Sequence, residues 1–419
     1  MDRASVAGRA ESHVSSSLKD KSVAVVTYTH KENGKPTYMA GPSQDLKQYL
    51  IKRAASLFFV EQPIPHSEDP TATAELYENG KKIKEYRFPM FKLPKKMRRP
   101  DIDSNLFAYI LFKLRDVLST LYFFLRVGRR FDIFIGVEAI NAMLGLFFRA
   151  LSQVGFVVYD IIDYSPIRFP NQHLNKIYHA MDNVCVRKGD AAWVQTQLII
   201  DHRKTKGLSD QNQWVKPTGV DLEKARALPF EQVKGAQIIY VGGFYDRDGS
   251  ELLIESLPQI CSKINDLKLL LIGHGDRLNE IKKQVEALSL QKHVSFLGTI
   301  SDADKVDALI QESAIGLAPY KDDPNSLKAY NDTAKPKLYL SLGTPVVMTN
   351  TTLFSKEIEK EKAGFAVRFD AKEWADAVIW LLEDPKRLQT YRQNALALAK
   401  KYSWDQIFDR LFNPILKKI

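Results

Sequence analysis

Between residues 237 and 382, short and nearly unbroken apolar runs alternate with amphipathic stretches of helical period. The runs lie at 237–241, 267–272, 293–297, 314–318, 345–348 and 364–367 and are rich in Val, Ile and Leu. A strand with one wet face alternates apolar with polar residues, so a run that is apolar throughout must be covered on both faces. The stretches between them, 251–264, 277–288, 303–311, 336–342 and 372–382, carry their apolar residues at helical spacing. Buried strands separated by helices build a parallel sheet with helices on both sides, which is a doubly wound domain.

The first part of the chain repeats this theme less cleanly. Strands are expected at 22–28, 57–60, 133–136, 156–160 and 191–195, with helices at 43–54, 105–124 and 174–186. The polar segment 205–234, with Pro217, Gly219 and Pro229, is the expected linker. At 419 residues there is room for two domains of roughly 200 residues each. The expected fold is therefore α/β, with two doubly wound, Rossmann-like parallel-sheet domains facing a central cleft. Its parts are a disordered lead-in at 1–21, a first domain at 22–215, a second at 216–401, and a last helix at 402–419.

Open α/β sheets bind ligands beyond the carboxyl ends of their strands. The loops 29–42, 160–171, 242–249, 273–277 and 320–335 should therefore converge on the cleft. The stretch TAKPKLYLSLGTPVV at 333–347 reads as a short helix with Pro336 in its first turn and Gly343 as its stop, followed by a buried strand. Backbone N–H groups and the helix dipole make such an N-terminus a seat for phosphate, and Lys335 and Lys337 add full charges there. Gly242 and Gly243, after the strand 237–241, let the backbone approach a diphosphate closely. The net charge of +10 favours anionic partners.

Other classes are disfavoured. Cys185 and Cys261 stand in no metal or redox spacing, which fits a reducing compartment and excludes a zinc or disulfide scaffold. The eight histidines form no metal pair. The lead-in lacks the apolar core of a secretory signal, and no run reaches the roughly 18 apolar residues of a spanning helix. A cytoplasmic protein, peripheral on the inner face of the membrane, is expected. KLPKKMRRP at 92–100 packs five cations beside the aromatic-rich helix 105–124, which suits docking on an anionic membrane surface. No nucleic-acid motif appears.

With these pieces in order, the second half resembles GT-B glycosyltransferases of the family 4 type, the glycosyl transferases group 1. The resemblance rests on VKPTGVD (215–221), IIYVGGF (238–244), LLLIGHGD (269–276), HVSFLGTIS (293–301), AIGLAPY (314–320), AKPKLYLSLGTPVV (334–347) and YSWD (402–405). It implies transfer of a sugar from a nucleotide-diphosphate donor to a glycan or lipid-linked acceptor, with retention at the anomeric carbon. It implies no cofactor beyond the donor substrate and no tightly bound metal. Lys335 aligns with a family lysine, and Glu357 with Gly364 fits the family's later E…G turn. The chain departs where the family carries cations, here Gly243 and Asp248, with Arg247 placed to compensate. It departs again where the family carries two glutamates, here Tyr330 and Leu338, with Asp332 nearby.

The candidate donor-binding residues are thus Gly242, Gly243, Arg247, His274, Lys335, Lys337, Asp332 and Glu357, and there are no metal ligands. His274 lies between two glycines in a cleft loop, where it can contact base or ribose. Asp160 and Asp163, in VVYDIIDYSP at the end of a first-domain strand, are the candidate catalytic carboxylates on the acceptor side. Two other readings stay open: a sugar-nucleotide epimerase of the same architecture, and a non-catalytic sugar-nucleotide-binding protein.

Overall fold

The structure is a computed structural model that describes residues 17–32, 35–36, 43–64, 67, 69–88, 106–169, 171–223, 227–322 and 327–419. The basic run 92–100 and residues 1–16 lie outside that set. The first domain runs β1 (Ser22–Thr29), a short ribbon β2 (Lys31–Glu32) and β3 (Lys35–Pro36), α1 (Ser43–Arg53), β4 (Ser56–Pro63), β5 (Ala72–Glu78) and β6 (Lys81–Phe88). It continues with α2 (Leu106–Val127), β7 (Phe131–Val137), α3 (Glu138–Ala150), β8 (Val154–Asp160), α4 (Gln172–Lys188), β9 (Ala191–Val194), α5 (Gln197–Thr205) and β10 (Gln213–Val215).

Its sheet has the order β10-β9-β8-β7-β1-β4-β5-β6. The strands from β10 to β4 are parallel, whereas β5 and β6 pair antiparallel at the edge, so this sheet is mixed where a wholly parallel one was expected. Asn79 and Gly80 both take positive φ, 48° and 79°, as a tight hairpin turn requires. Side chains alternate across the sheet. Val23 and Val25 of β1 pack on the α1 side, while Ala24 and Val26 meet Phe123 and Phe124 of α2 and Phe148 of α3.

The second domain runs β11 (Lys234–Val241), α6 (Glu251–Lys263), β12 (Lys268–Ile272), α7 (Leu278–Ala287), β13 (Val294–Gly298), α8 (Ala303–Glu312) and β14 (Ser313–Ala318). Then come α9 (Leu327–Tyr330), α10 (Ala334–Ser341), β15 (Val346–Thr349), α11 (Leu353–Lys360), β16 (Gly364–Val367), α12 (Ala371–Leu382) and α13 (Pro385–Lys400). Its sheet is parallel throughout, ordered β13-β12-β11-β14-β15-β16. The order reverses between β11 and β14, and in the first sheet between β1 and β7, so each domain has its switch point there.

The final helix, α14 (Trp404–Leu416), crosses back to the first domain. Trp404, Ile407, Phe408, Leu411, Phe412 and Ile415 join the core formed by α1 and the outer face of the first sheet. Leu18, inside the expected lead-in, is buried in the same core. The two crossings between domains run side by side, with Val220 N donating to Tyr402 O (2.8 Å) and Val220 O accepting from Trp404 N (3.3 Å). A side chain at Gly219 would collide with the Trp404 indole. Among the described residues no helix is long and apolar enough to cross a membrane.

Candidate active site

On the second domain, the loop after β11 carries Gly242 and Gly243, and the loop after β12 carries Gly273, His274 and Gly275. The loops lie directly on one another. Gly242 N donates to Ile272 O (2.9 Å) and Phe244 N to His274 O (3.0 Å). A Cβ on Gly273, whose φ is +137°, would run into the Gly242 carbonyl, so only glycine allows this approach. Lys335, in the first turn of α10, extends across the loop, and a Cβ at Gly242 would strike its ammonium. The ammonium also sits 4.0 Å above the Tyr240 ring and 5.4 Å from that of Tyr320. Thr333 begins the helix without a side-chain cap. A fixed cation, glycine backbone and a helix start thus meet at the switch point, which is the composition of a diphosphate seat.

Other predicted donor residues are placed differently. Arg247 is exposed on a helical turn, its guanidinium 5.3 Å from the Tyr245 ring at the rim of the loop. Asp248 is buried near Gly243, and being an acid it supplies no positive charge at that position. His274 is exposed, with Nδ1 3.2 Å from Thr299 Oγ1. Lys337 does not join Lys335. It is buried and ion-paired with Asp332, donates to Thr218 O (3.0 Å), and lies 4.0 Å over the Tyr402 ring. Burial lowers its affinity for a proton, and Asp332 opposes that shift. Asp332 in turn accepts from Thr218 N (2.7 Å), while its own N–H donates to Gln195 Oε1 (2.9 Å). Lys337 and Asp332 therefore fasten the linker and the first domain to α10, and neither is exposed toward a phosphate. Glu357 accepts from the Tyr402 hydroxyl and lines a separate groove of about 650 Å³, together with Trp214, Pro217 and Arg410.

On the first domain, Asp160 is buried against Lys216, whose ammonium lies 2.5 Å from its carboxylate. Burial pushes the Asp160 carboxyl up and Lys216 pulls it down. The pair is an internal clamp between β8 and the linker, which removes Asp160 from the acceptor surface. Asp163 is half exposed, 3.7 Å from Arg168.

Glu138 is a residue that the sequence reading missed. It directly follows β7 and opens α3 with a φ of +67°, a strained value for a non-glycine residue. Gly136 permits the sharp turn, because a Cβ there would enter the backbone of Asn141 and Ala142. The Glu138 carboxylate accepts from the backbone N–H of Ile162 and of Asp163, each at 3.1 Å. Burial pushes its carboxyl up to about 7, Arg168 opposes that, and Asp163 adds to it. A strained, neutral-range carboxyl at the first sheet's switch point is a candidate proton acceptor. No motif marks it; the only trace in the sequence is Gly136 two residues earlier.

The two sides are joined. Tyr164 N, the residue after Asp163, donates to Asn331 Oδ1 (3.0 Å), four residues before Lys335. Thr196 Oγ1 donates to Tyr330 O, and the Tyr330 ring packs 5.8 Å from Tyr164 and 5.6 Å from His202. The acceptor-side loop and the start of α10 are thereby held across one cleft.

Residues 223–397 match the family described as Glycosyl transferases group 1. The match covers most of the second domain. The whole chain has the GT-B arrangement of two Rossmann-like domains, and solved structures share it. A sucrose-phosphate synthase from Thermosynechococcus elongatus matches with a TM-score of 0.65 at 15% identity, over 95% of this chain and 100% of that one. Anabaena HepE in complex with UDP matches with a TM-score of 0.59 at 17% identity, over 72% of this chain and 82% of that one. Among curated proteins, the phosphatidyl-myo-inositol mannosyltransferase of Mycobacterium tuberculosis (strain ATCC 25618 / H37Rv) is 24% identical over 204 residues, 46% of this chain and 51% of the relative. The chain therefore spans about half the length of the curated relatives it matches. Tyr330, one of the two positions where the resemblance would place a glutamate, is committed to the domain contact.

Proposed function

We propose that the chain is a glycosyltransferase that moves a sugar from a nucleotide-diphosphate sugar to a hydroxyl of a glycan or lipid-linked acceptor, in cell-surface polysaccharide or glycolipid synthesis. The observation that carries this is the Lys335 ammonium lying against the Gly242 backbone at the second sheet's switch point. In the reaction the bond from the anomeric carbon to the diphosphate breaks and a bond to the acceptor oxygen forms. Charge develops on the departing phosphate, where Lys335 is fixed to receive it without reorganisation. The hydroxyl proton goes to the acceptor side, where Glu138 holds a carboxyl in the neutral range and Asp163 orients the nucleophile. Retention at the anomeric carbon is our reading of the stereochemistry, and proton NMR of the first-formed product tests it. The transfer runs without a bound metal in this reading, so excess EDTA should leave the rate unchanged.

The relative named above is a mannosyltransferase named for phosphatidyl-myo-inositol, which supports a lipid-linked acceptor for this chain; in our reading the chain works at the inner face of the membrane. The test is a thermal-shift series with UDP, GDP, ADP and their sugars, where ligand at 100 times its Kd should add about 2.7 kcal/mol. No shift with any of them rejects the reading. A second reading, a non-catalytic binder of sugar nucleotides, is favoured by Leu338 and Tyr330 at the family's acidic positions. A shift with no transfer to any glycan or lipid acceptor would select it.

A further inference from the structure

The apolar side chains that α2 turns outward serve nothing described so far. From Phe107 to Leu118 the exposed positions are Phe107, Ile110, Leu114 and Leu118, each 49–66% exposed, and among the described side chains no polar one is exposed between them. Steps of three, four and four residues put them on one stripe. A helix on a water-facing surface carries charge on that stripe. The neighbouring helices extend the pattern, since α2 touches α3 and α3 touches α4. Met143 and Phe147 of α3 and Ile177 and Val184 of α4 are also exposed. A groove of about 410 Å³ between α3 and α4 continues the apolar surface and has Lys188 and Arg149 in its lining, the latter ion-paired with Asp190.

Charge is sorted in the same way. Arg126 on α2 and Lys176, Arg187 and Lys188 on α4 are exposed. None of the carboxylates on these three helices is: Asp116 and Asp182 are buried, and Glu138 is bound to the loop N–H groups of the cleft. Exposed apolar side chains on three adjoining helices, with cations and no exposed acid on those helices, complement the interface of an anionic bilayer, where side chains enter the acyl boundary and cations meet the head groups.

We propose that α2, α3 and α4 together form a face that rests on a bilayer containing anionic lipid. The inference deepens the membrane part of the function proposed above and does not depend on catalysis. Its position gives it a use. At one end of the face the Tyr109 ring of α2 is 6.4 Å from Phe169, and Phe169 is 5.9 Å from Tyr178 of α4. Phe169 belongs to the loop that carries Asp163 and Arg168, so the face runs up to the acceptor side of the cleft. A lipid-linked acceptor would reach Glu138 while its chains stay in the membrane.

Co-sedimentation of the full chain with vesicles of phosphatidylcholine, alone or mixed with phosphatidylglycerol, tests this. The parent should pellet with the mixed vesicles and stay in solution with the neutral ones. Leu114→Ser combined with Leu118→Ser alters exposed positions only and should weaken binding at least about tenfold with an unchanged Tm. Arg187→Gln combined with Lys188→Gln should weaken it about fivefold for each charge removed. Equal pelleting with both vesicle types, pelleting with neither, or serine variants that bind like the parent would overturn the proposal. So would a dimer in sedimentation velocity that those serine variants abolish, since the face would then be a protein interface. Vesicle binding that persists while nucleotide diphosphates give no thermal shift would reject the donor reading and leave this one standing.

Discussion

Lys335 and Lys337 stand two positions apart in one turn, yet their fates are opposite. On a helix of 3.6 residues per turn, positions i and i+2 point about 200° apart, so one ammonium faces the glycine loop and the other enters the protein. Composition alone counts both as phosphate cations; only the phase of α10 separates them. Lys335→Ala should therefore cost about 1.5–3 kcal/mol of nucleotide-diphosphate affinity by calorimetry, the loss expected for a charged hydrogen bond, with little change in Tm. Glu138 was illegible for a related reason. A lone Glu after a strand carries no motif, and its character arises from a φ of +67° and from its burial. Its folded carboxyl titrates near 7 against an ordinary value of 4.5, so the folded chain keeps a proton that the unfolded chain loses in between. That contribution to stability is complete below 4.5 and disappears as pH rises through 7. Glu138→Gln should flatten stability across that window and remove a rise in transfer rate near pH 7. It should also cut the rate about 10²–10⁴-fold with nucleotide binding intact. A variant with a parental pH profile would place the proton acceptor elsewhere.

Elements were legible where burial makes a run apolar throughout, and obscure where it does not. The six strands of the second sheet announce themselves because both of their faces are covered. The β5–β6 hairpin has a wet face and reads ATAELYENGKKIKEYRF, with the Asn79-Gly80 turn flanked by alternation, a signal hidden by the strand–helix rhythm around it. Asp160 illustrates a further limit. Its place at a strand end suggested catalysis, but its partner Lys216 comes from a distant segment that sequence spacing cannot bring near. Lys216→Ala should leave a buried carboxylate unpaired and lower stability by about 3–5 kcal/mol in urea titration. Gly136→Ala should press α3 off β7, because the new Cβ meets the backbone of Ala142. A loss of about 1–3 kcal/mol would reflect that strain, and an unaffected Tm would show that the contact yields.

At the scale of the whole molecule, the two-domain architecture could be read from periodicity, but the way the domains are fastened could not. The fastening is made by Asp332, Lys337, Thr218, Gln195, Tyr330 and Tyr164, a set scattered over the chain. Asp332→Ala leaves the Lys337 ammonium buried without its carboxylate, and should loosen the domain contact before either domain melts. A larger radius of gyration in small-angle scattering at unchanged secondary structure would show it. The return of α14 to the first domain bears on the order of events during synthesis. Val23, Val25, Leu57 and Phe59 share one buried core with α1 and with Phe408, Leu411 and Phe412, so α1 covers that face of the first sheet only in part until residues more than 300 positions later have been made. The second domain, whose sheet is covered by its own helices, can close meanwhile. The domain synthesised first is therefore the one completed last, and throughout that interval it presents a partly open apolar surface to whatever holds nascent chains.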